Sequence, residues 1–379
     1  MKQSLARREF LGAGASAIAY LHMPRSLFAF EAGDKPIPFL DAQAPVADKP
    51  ILLWDELTTW ITPQNQFFSV GHYDTPTVAI DTWSLPVTGM VNNPKTLTLA
   101  QLKARPKREY DATLECSGNG AFPQFVGGIG NARWGGAALG PLLKECGLKP
   151  EAIEVVFYAA DAGKEKIRDK EYPQHFARSL SLTDATSDNV FLAYEMNGEP
   201  LPKGHGAPLR LIVPGWYGIA WAKWVTRIEV TDRRFMSKFM ARDYVTIRGE
   251  QQGDQTIWRE TSVSKMNLKS IVARVVQRPD GTLRVSGAAW NDGTEIKSVE
   301  LKVDDGPWMQ VKLGEGRDKR HAWTFWSLDW KAAQPGEHTL VSRATDARGT
   351  VQPTAEDPQI ALKRTYWEAN QQFPRKIKI

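Results

Sequence analysis

Leu283-Arg284-Val285-Ser286-Gly287-Ala288-Ala289-Trp290 and Val299-Glu300-Leu301-Lys302-Val303 carry the clearest structural signal in the chain. Apolar and polar residues alternate in both, and a period of two gives each strand one buried and one solvated face. Asp304-Asp305-Gly306 follows directly and reads as a hairpin turn, because Asp and Gly tolerate the positive φ that tight turns need. Further strands are expected at 321–328 and 338–345, between turn signals at Gly314, Gly316, Pro335-Gly336 and Gly349. Short strands at this spacing predict an antiparallel β-sandwich over residues 245–379.

Upstream, residues 50–242 have a different character. Ile153–Ala159, Leu209–Val213 and Trp224–Val230 read as buried strands, and Leu139–Cys146 as a short apolar helix stopped by Gly147 and Pro150. Glycine-rich turns recur at 118–120, 127–130 and 135–136. Strands and helices mix without regular βαβ alternation, so the fold class is α+β rather than a doubly wound sheet.

The chain has 379 residues, 42% of them hydrophobic, with 24% charged and 14 Trp, which excludes intrinsic disorder. No run of some 18 uncharged apolar residues occurs, so no membrane span is expected. The net charge of +5 is concentrated at the start: beyond residue 30, 44 basic residues face 42 acidic ones. No nucleic-acid partner is therefore expected. Residues 1–30 contain Arg7-Arg8-Glu9-Phe10-Leu11-Gly12 followed by a mildly apolar run, Ala13 to Leu21. Paired arginines before a weak apolar core form the twin-arginine export pattern, which predicts a periplasmic protein cleaved between Ala29 and Ala32. That route carries folded proteins and suits an enzyme loaded with its cofactor in the cytoplasm.

G-x-G-x-x-G, P-loop, H-E-x-x-H and G-x-S-x-G motifs are all absent. With Cys116 and Cys146 the only cysteines, there is no zinc knuckle, Fe–S set or C-x-x-C-H haem site. The six histidines (22, 72, 175, 205, 321, 338) are scattered, so any metal must be held by few protein ligands. Cys116 lies in Thr113-Leu114-Glu115-Cys116-Ser117-Gly118-Asn119-Gly120, where an apolar strand runs into a Gly/Asn turn. Three roles are open to it: a disulfide with Cys146, a buried thiol, or a thiolate ligand to a soft metal whose other ligands belong to a cofactor. Cys146, at the end of an apolar helix, reads as a buried structural thiol.

The run Leu114-Glu115-Cys116-Ser117-Gly118-Asn119 resembles the cysteine motif of the sulfite oxidase family of molybdenum enzymes. Ala132-Arg133-Trp134-Gly135-Gly136, Leu192-Ala193-Tyr194-Glu195-Met196-Asn197-Gly198-Glu199-Pro200-Leu201-Pro202 and His205-Gly206-Ala207-Pro208-Leu209-Arg210 continue the likeness in order. Pro214-Gly215-Trp216-Tyr217-Gly218 and Lys223-Trp224 follow. Ala289-Trp290, Ala322-Trp323 and Arg343-Ala344-Thr345-Asp346 extend it into an immunoglobulin-like dimerisation domain, so that it spans roughly residues 60–379.

The resemblance implies one molybdopterin per chain, no haem, and Cys116 as sole protein ligand of molybdenum. It places Phe68, Ser69, Val70, Gly71, His72, Asp161, His205, Arg210, Trp221, Ala222 and Lys223 at cofactor-binding positions. Arg210 and Lys223 suit a phosphate, while His205 and Asp161 suit the donors and acceptors of a pterin ring. It further implies oxygen-atom transfer on a small sulfur- or nitrogen-containing substrate, electrons passed to a separate acceptor such as cytochrome c, and a homodimer.

Three positions depart from the family pattern, all toward apolar residues. Val70 stands where an arginine reaches the oxyanion, Ala220 where a second arginine belongs, and Phe176 where the active-site tyrosine is expected. A pocket walled by Val70, Phe176, Trp216 and Trp221, with Ala220 beside them, favours a larger and less charged substrate than free sulfite. Two other readings are a reductase of S-oxides or N-oxides on the same cofactor, and a non-catalytic secreted binding protein whose site has decayed. Arg317-Asp318-Lys319-Arg320 reads as a solvated loop.

Overall fold

The computed structural model describes residues 28–41, 51–121, 125–331, 334–363 and 367–379. The twin-arginine motif at Arg7-Arg8 lies outside the described residues. Two sheets frame the first part of the chain. One has the strand order Arg210–Ile212, Phe191–Met196, Ile129–Ala138, Lys107–Glu115. The other runs Lys95–Thr98, Ser84–Gly89, Val225–Thr231, Glu154–Ile167, Lys170–Ser181. Val225–Thr231 and Ser84–Gly89 form the one parallel pair among the described residues. The helix Leu139–Cys146 buries Leu139, Leu142, Leu143 and Cys146 and ends at Gly147, whose φ of 68° is the left-handed conformation of a helix stop.

The expected sandwich is present. Its larger sheet has the order Lys35–Ile37, Lys269–Gln277, Leu283–Trp290, Thr324–Trp330, Lys312–Leu313. The smaller has Met309–Gln310, Ile296–Val303, Glu337–Asp346, Arg375–Lys378. The turn at Asp304–Gly306 reverses the chain into the short strand Met309–Gln310, as the alternating pattern predicts. Val285, Val299, Leu301, Trp326, Leu340 and Ile377 fill the space between the sheets. Between the two parts stands a separate hairpin, Val245–Gln252 with Gln255–Ser262.

Trp290 and Trp323, although they lie in the second part of the chain, join the apolar core of the first part. Trp54 lies 6.3 Å from Trp290 and 5.4 Å from Trp323 between ring centroids. The Trp60 and Trp323 indole N–H groups each donate to the other residue's carbonyl, both at 3.0 Å. One continuous core thus runs through both parts. Phe28, upstream of the expected cleavage, belongs to it: the ring packs on Phe325 at 4.0 Å, and its carbonyl accepts from the buried Arg274 at 2.5 Å.

Candidate active site

Cys116 follows the last residue of the strand Lys107–Glu115, where the chain leaves the sheet. Its N–H donates to the Gly128 carbonyl at 2.8 Å, and the Asn119 side chain accepts from Gly128 N–H at 2.9 Å, which pins the turn. Cys116 and Cys146 are both free, so the disulfide alternative is not realised. Burial pushes the Cys116 thiol up to about 11, the Gly118 N–H opposing. The thiol therefore keeps its proton at neutral pH until a metal displaces it.

Around this sulfur lies a cavity of about 610 Å³, counting its mouth. Phe68, Ser69, Val70, His72, Asp161, Phe176, His205, Arg210, Trp221 and Lys223 line it, so distant segments of sequence converge as the motif order implied. Gly71, Trp216, Ala220 and Ala222 are not among the lining residues. Ala220 and Ala222 are fully buried, and Trp216 supports the wall from behind, its carbonyl accepting from Trp221 Nε1 at 3.0 Å. The substrate-pocket role expected of Trp216 and Ala220 is thus not a direct one. Ile219 and Gly218, which the sequence reading did not single out, face the cavity instead.

The turn Lys203–His205 ends at Gly206 with φ 112°, and a Cβ there would sit 3.0 Å from that of Lys223. Glycine lets the two segments close, and this sets His205, Arg210 and Lys223 along one wall. Arg210 is buried, donates to the His205 carbonyl at 3.1 Å, and lies 5.3 Å from the Trp134 ring. It makes no ion pair among the described residues, and burial lowers it to about 9. Among the described residues Lys223 donates to two carbonyls, of Val70 at 3.1 Å and Gly204 at 3.4 Å, and to no carboxylate. Burial, then the Arg210 charge, lowers it to about 7.

Burial also raises Asp161 to about 6, against the pull of Lys223. His72 and His205 both fall to about 4, first through burial and then through neighbouring cations, so both are neutral at pH 7. Asp161 Oδ1, Arg210 Nε and Ser117 Oγ are buried without a partner. Two buried basic side chains with no salt bridge among the described residues, a carboxyl oxygen without a hydrogen bond and neutral imidazoles favour an anionic ligand with its own donors and acceptors. A pterin bearing a phosphate, with a metal on Cys116, is such a ligand. No group of three or more His, Cys, Asp or Glu side chains among the described residues could hold a metal by itself, which suits a metal carried in on a cofactor.

One cavity hydroxyl escaped the sequence reading. Tyr244 lines the cavity and bonds His72 Nε2 at 2.6 Å. Phe176, where the tyrosine was expected, does lie on the wall, its ring stacked on His72 at 5.1 Å. The hydroxyl itself arrives from Tyr244, beyond the last strand of the first part. The only hint was its place in Ala241-Arg242-Asp243-Tyr244, a run whose polar residues gave no reason to expect burial.

Residues 72–239 match the oxidoreductase molybdopterin binding domain family, and residues 259–367 the Mo-co oxidoreductase dimerisation domain family. Sulfite oxidase of Gallus gallus is 31% identical over 324 residues, covering 79% of this chain and 69% of that protein. Mitochondrial sulfite oxidase of Drosophila melanogaster is also 31% identical, but the chain spans only 57% of its length. Among solved structures, the sulfane dehydrogenase SoxCD of Paracoccus pantotrophus superposes with a TM-score of 0.72 at 27% identity, covering 92% of this chain and 90% of that one. With the cysteine turn and the unpaired cations in place, the chain belongs to the sulfite oxidase family of molybdopterin-dependent oxidoreductases.

Proposed function

We propose that this enzyme oxidises a sulfur centre larger and less charged than free sulfite. The observation that carries the reading is the pocket wall. Among the described residues Arg210 and Lys223 are its only arginine and lysine side chains; the rest of the lining combines the apolar Phe68, Val70, Leu114, Phe176, Ile219, Trp221 and Trp224 with the uncharged hydroxyls of Ser69, Ser117 and Tyr244, the neutral His72 and His205, and Asp161. Once the pterin phosphate has claimed the two cations, no arginine or lysine is left for a substrate oxyanion. Enclosing a sulfite dianion there costs several kcal/mol (about 2–7 for even a neutral polar group left unbonded). A sulfane sulfur, bonded to another sulfur and carrying at most a single charge, avoids that cost, and the similarity to a sulfane dehydrogenase supports this choice.

When bound, the molybdenum cofactor supplies a two-electron oxygen-atom transfer, in which water provides the oxygen and two protons and two electrons are released. The chain's residues prepare the pocket for it. Arg210 and Lys223 hold the cofactor's anionic end, with Asp161 and His205 beside its polar edges. Phe176, Trp221 and Ile219 exclude bulk water. With His72 protonated on Nδ1, its Nε2 accepts from the Tyr244 hydroxyl, so the pair holds a proton at Tyr244 Oη on the cavity wall. Electrons leave singly to a separate c-type cytochrome, the chain acts as a homodimer through its second domain, and the Arg7-Arg8 leader directs it to the periplasm.

The test is steady-state oxidation by the purified holoenzyme, with ferricyanide or cytochrome c as acceptor, of sulfite beside singly charged organic persulfides and uncharged polysulfanes. A higher kcat/KM on a sulfane supports the reading. A micromolar KM for sulfite overturns it. Oxidation of reduced dye by S-oxides or N-oxides would instead show that the chemistry runs in reverse.

A further inference from the structure

The turn that carries Cys116 is gripped from behind by the second domain. Glu115, fully buried next to the cysteine, accepts from Lys269 Nζ at 2.6 Å, Trp290 Nε1 at 2.8 Å and Asn119 Nδ2 at 3.0 Å. Lys269 also donates to the Asn119 carbonyl at 2.9 Å. Glu368 N–H donates to the Ser117 carbonyl at 2.7 Å, and Gln371 Nε2 to the Gly120 carbonyl at 3.0 Å. The Glu115 carboxylate and the carbonyls of Ser117, Asn119 and Gly120 thus all find partners in residues 269–371, outside the domain that contains the turn.

The same C-terminal segment braces the opposite side of the cavity. The Trp367 ring stacks on Tyr244, with centroids 4.2 Å apart and planes 20° apart, and its indole N–H donates to the Asp243 carbonyl. Glu368, next in sequence, is fully buried with φ 62°, a conformation that a glutamate keeps only when its surroundings dictate it. Arg248 at 2.5 Å and Ser264 N–H at 3.3 Å hold its carboxylate. Two adjacent residues therefore fix the thiolate turn and the pocket hydroxyl relative to each other.

We infer that Lys269 and Trp367 are positioning residues: the second domain sets the orientation of the metal-binding sulfur and of the Tyr244 hydroxyl. A ligand held by its outer partners meets the metal already oriented, and the Lys269 ammonium offsets the Glu115 carboxylate that would otherwise lie uncompensated beside a thiolate. This assignment rests on Cys116 as the molybdenum ligand and is independent of which sulfur compound is oxidised.

The test uses full-length holoenzyme carrying the neutral pair Glu115→Gln/Lys269→Met, and separately Trp367→Leu. Molybdenum content and Tm are measured first, then the Mo(V) EPR spectrum of protein poised with dithionite and ferricyanide, without substrate, and finally kcat and KM. The expected result for the pair is near-parental metal content and Tm, displaced Mo(V) g-values, and kcat lower by about tenfold at unchanged KM. For Trp367→Leu the same fall in kcat is expected. Parental g-values and kcat in a folded, loaded protein would overturn the inference, as would losses that only track Tm. If the pair does not accumulate, the split between kcat and KM in Trp367→Leu decides alone. Because the EPR arm contains no substrate, a failure to oxidise sulfanes would leave this result standing.

Discussion

Replacing Arg210 with Met should shift the stability of the cofactor-free and the loaded protein in opposite directions. Without cofactor, Arg210 is a buried cation whose pKa burial alone has lowered from the ordinary guanidinium range to about 9. Each unit is worth about 1.4 kcal/mol, so the charge costs the folded state about 5 kcal/mol. Against that stand a hydrogen bond to the His205 carbonyl at 3.1 Å and the Trp134 ring at 5.3 Å, together about 2–3 kcal/mol. Methionine fills similar space without charge, so the cofactor-free variant gains about 2 kcal/mol and its Tm rises by a few degrees. The loaded protein loses a charge-assisted contact of about 1.5–3 kcal/mol, so pterin is held roughly tenfold to a hundredfold more weakly. Calorimetry on protein from a pterin-deficient host, with molybdenum and pterin content from a competent one, reads both signs. A variant that melts lower in the cofactor-free form while retaining full cofactor would refute the assignment of Arg210 as an anion site.

Tyr244→Phe removes the 2.6 Å bond to His72 but keeps the ring on Trp367; kcat should fall about 10²-fold with stability changed by about 1 kcal/mol, and an unaltered kcat would dismiss the hydroxyl from the reaction. Val70→Arg returns a cation to the wall, so KM for sulfite should drop about tenfold while sulfane oxidation suffers; a KM for sulfite that stays put would mean the wall does not select by charge. The folded state keeps His205 neutral down to about pH 4, whereas the unfolded chain takes its proton near 6.5, so stability falls as pH drops through that window, by about 3 kcal/mol at its foot. Asp161, raised to about 6, acts with the opposite sign between about pH 6 and 4, and comparing the parent with His205→Gln cancels it. The variant should show a flatter acid limb in urea titrations of cofactor-free protein; parallel limbs would contradict the assignment.

Local pattern made the sandwich legible. Strands expected at 321–328 and 338–345 are found at Thr324–Trp330 and Glu337–Asp346, since a solvated face on one side keeps the period of two visible. The first part was legible more through motifs than through periodicity. Its strand Glu154–Ile167 runs far beyond the apolar stretch that announced it, because the outer half is held by its partner Lys170–Ser181 and not by burial. In the cavity, Cys116, His205, Arg210 and Lys223 were found because each sits in a compact motif. Tyr244 was missed because it reaches the site through tertiary contacts with His72 and Trp367. Trp290 was placed correctly at the end of a strand and Trp323 lies just before one, but alternation cannot tell which neighbour a buried face will meet.

The core shared by Trp54, Trp60, Trp290, Trp323 and Phe325 bears on how the chain is made. A ribosome that has released only the first half leaves Trp54 and Trp60 without their lids, since Trp323 emerges some 260 positions after Trp60. The shared core cannot close until residue 323 has left the ribosome, so the first part completes its packing only together with the second.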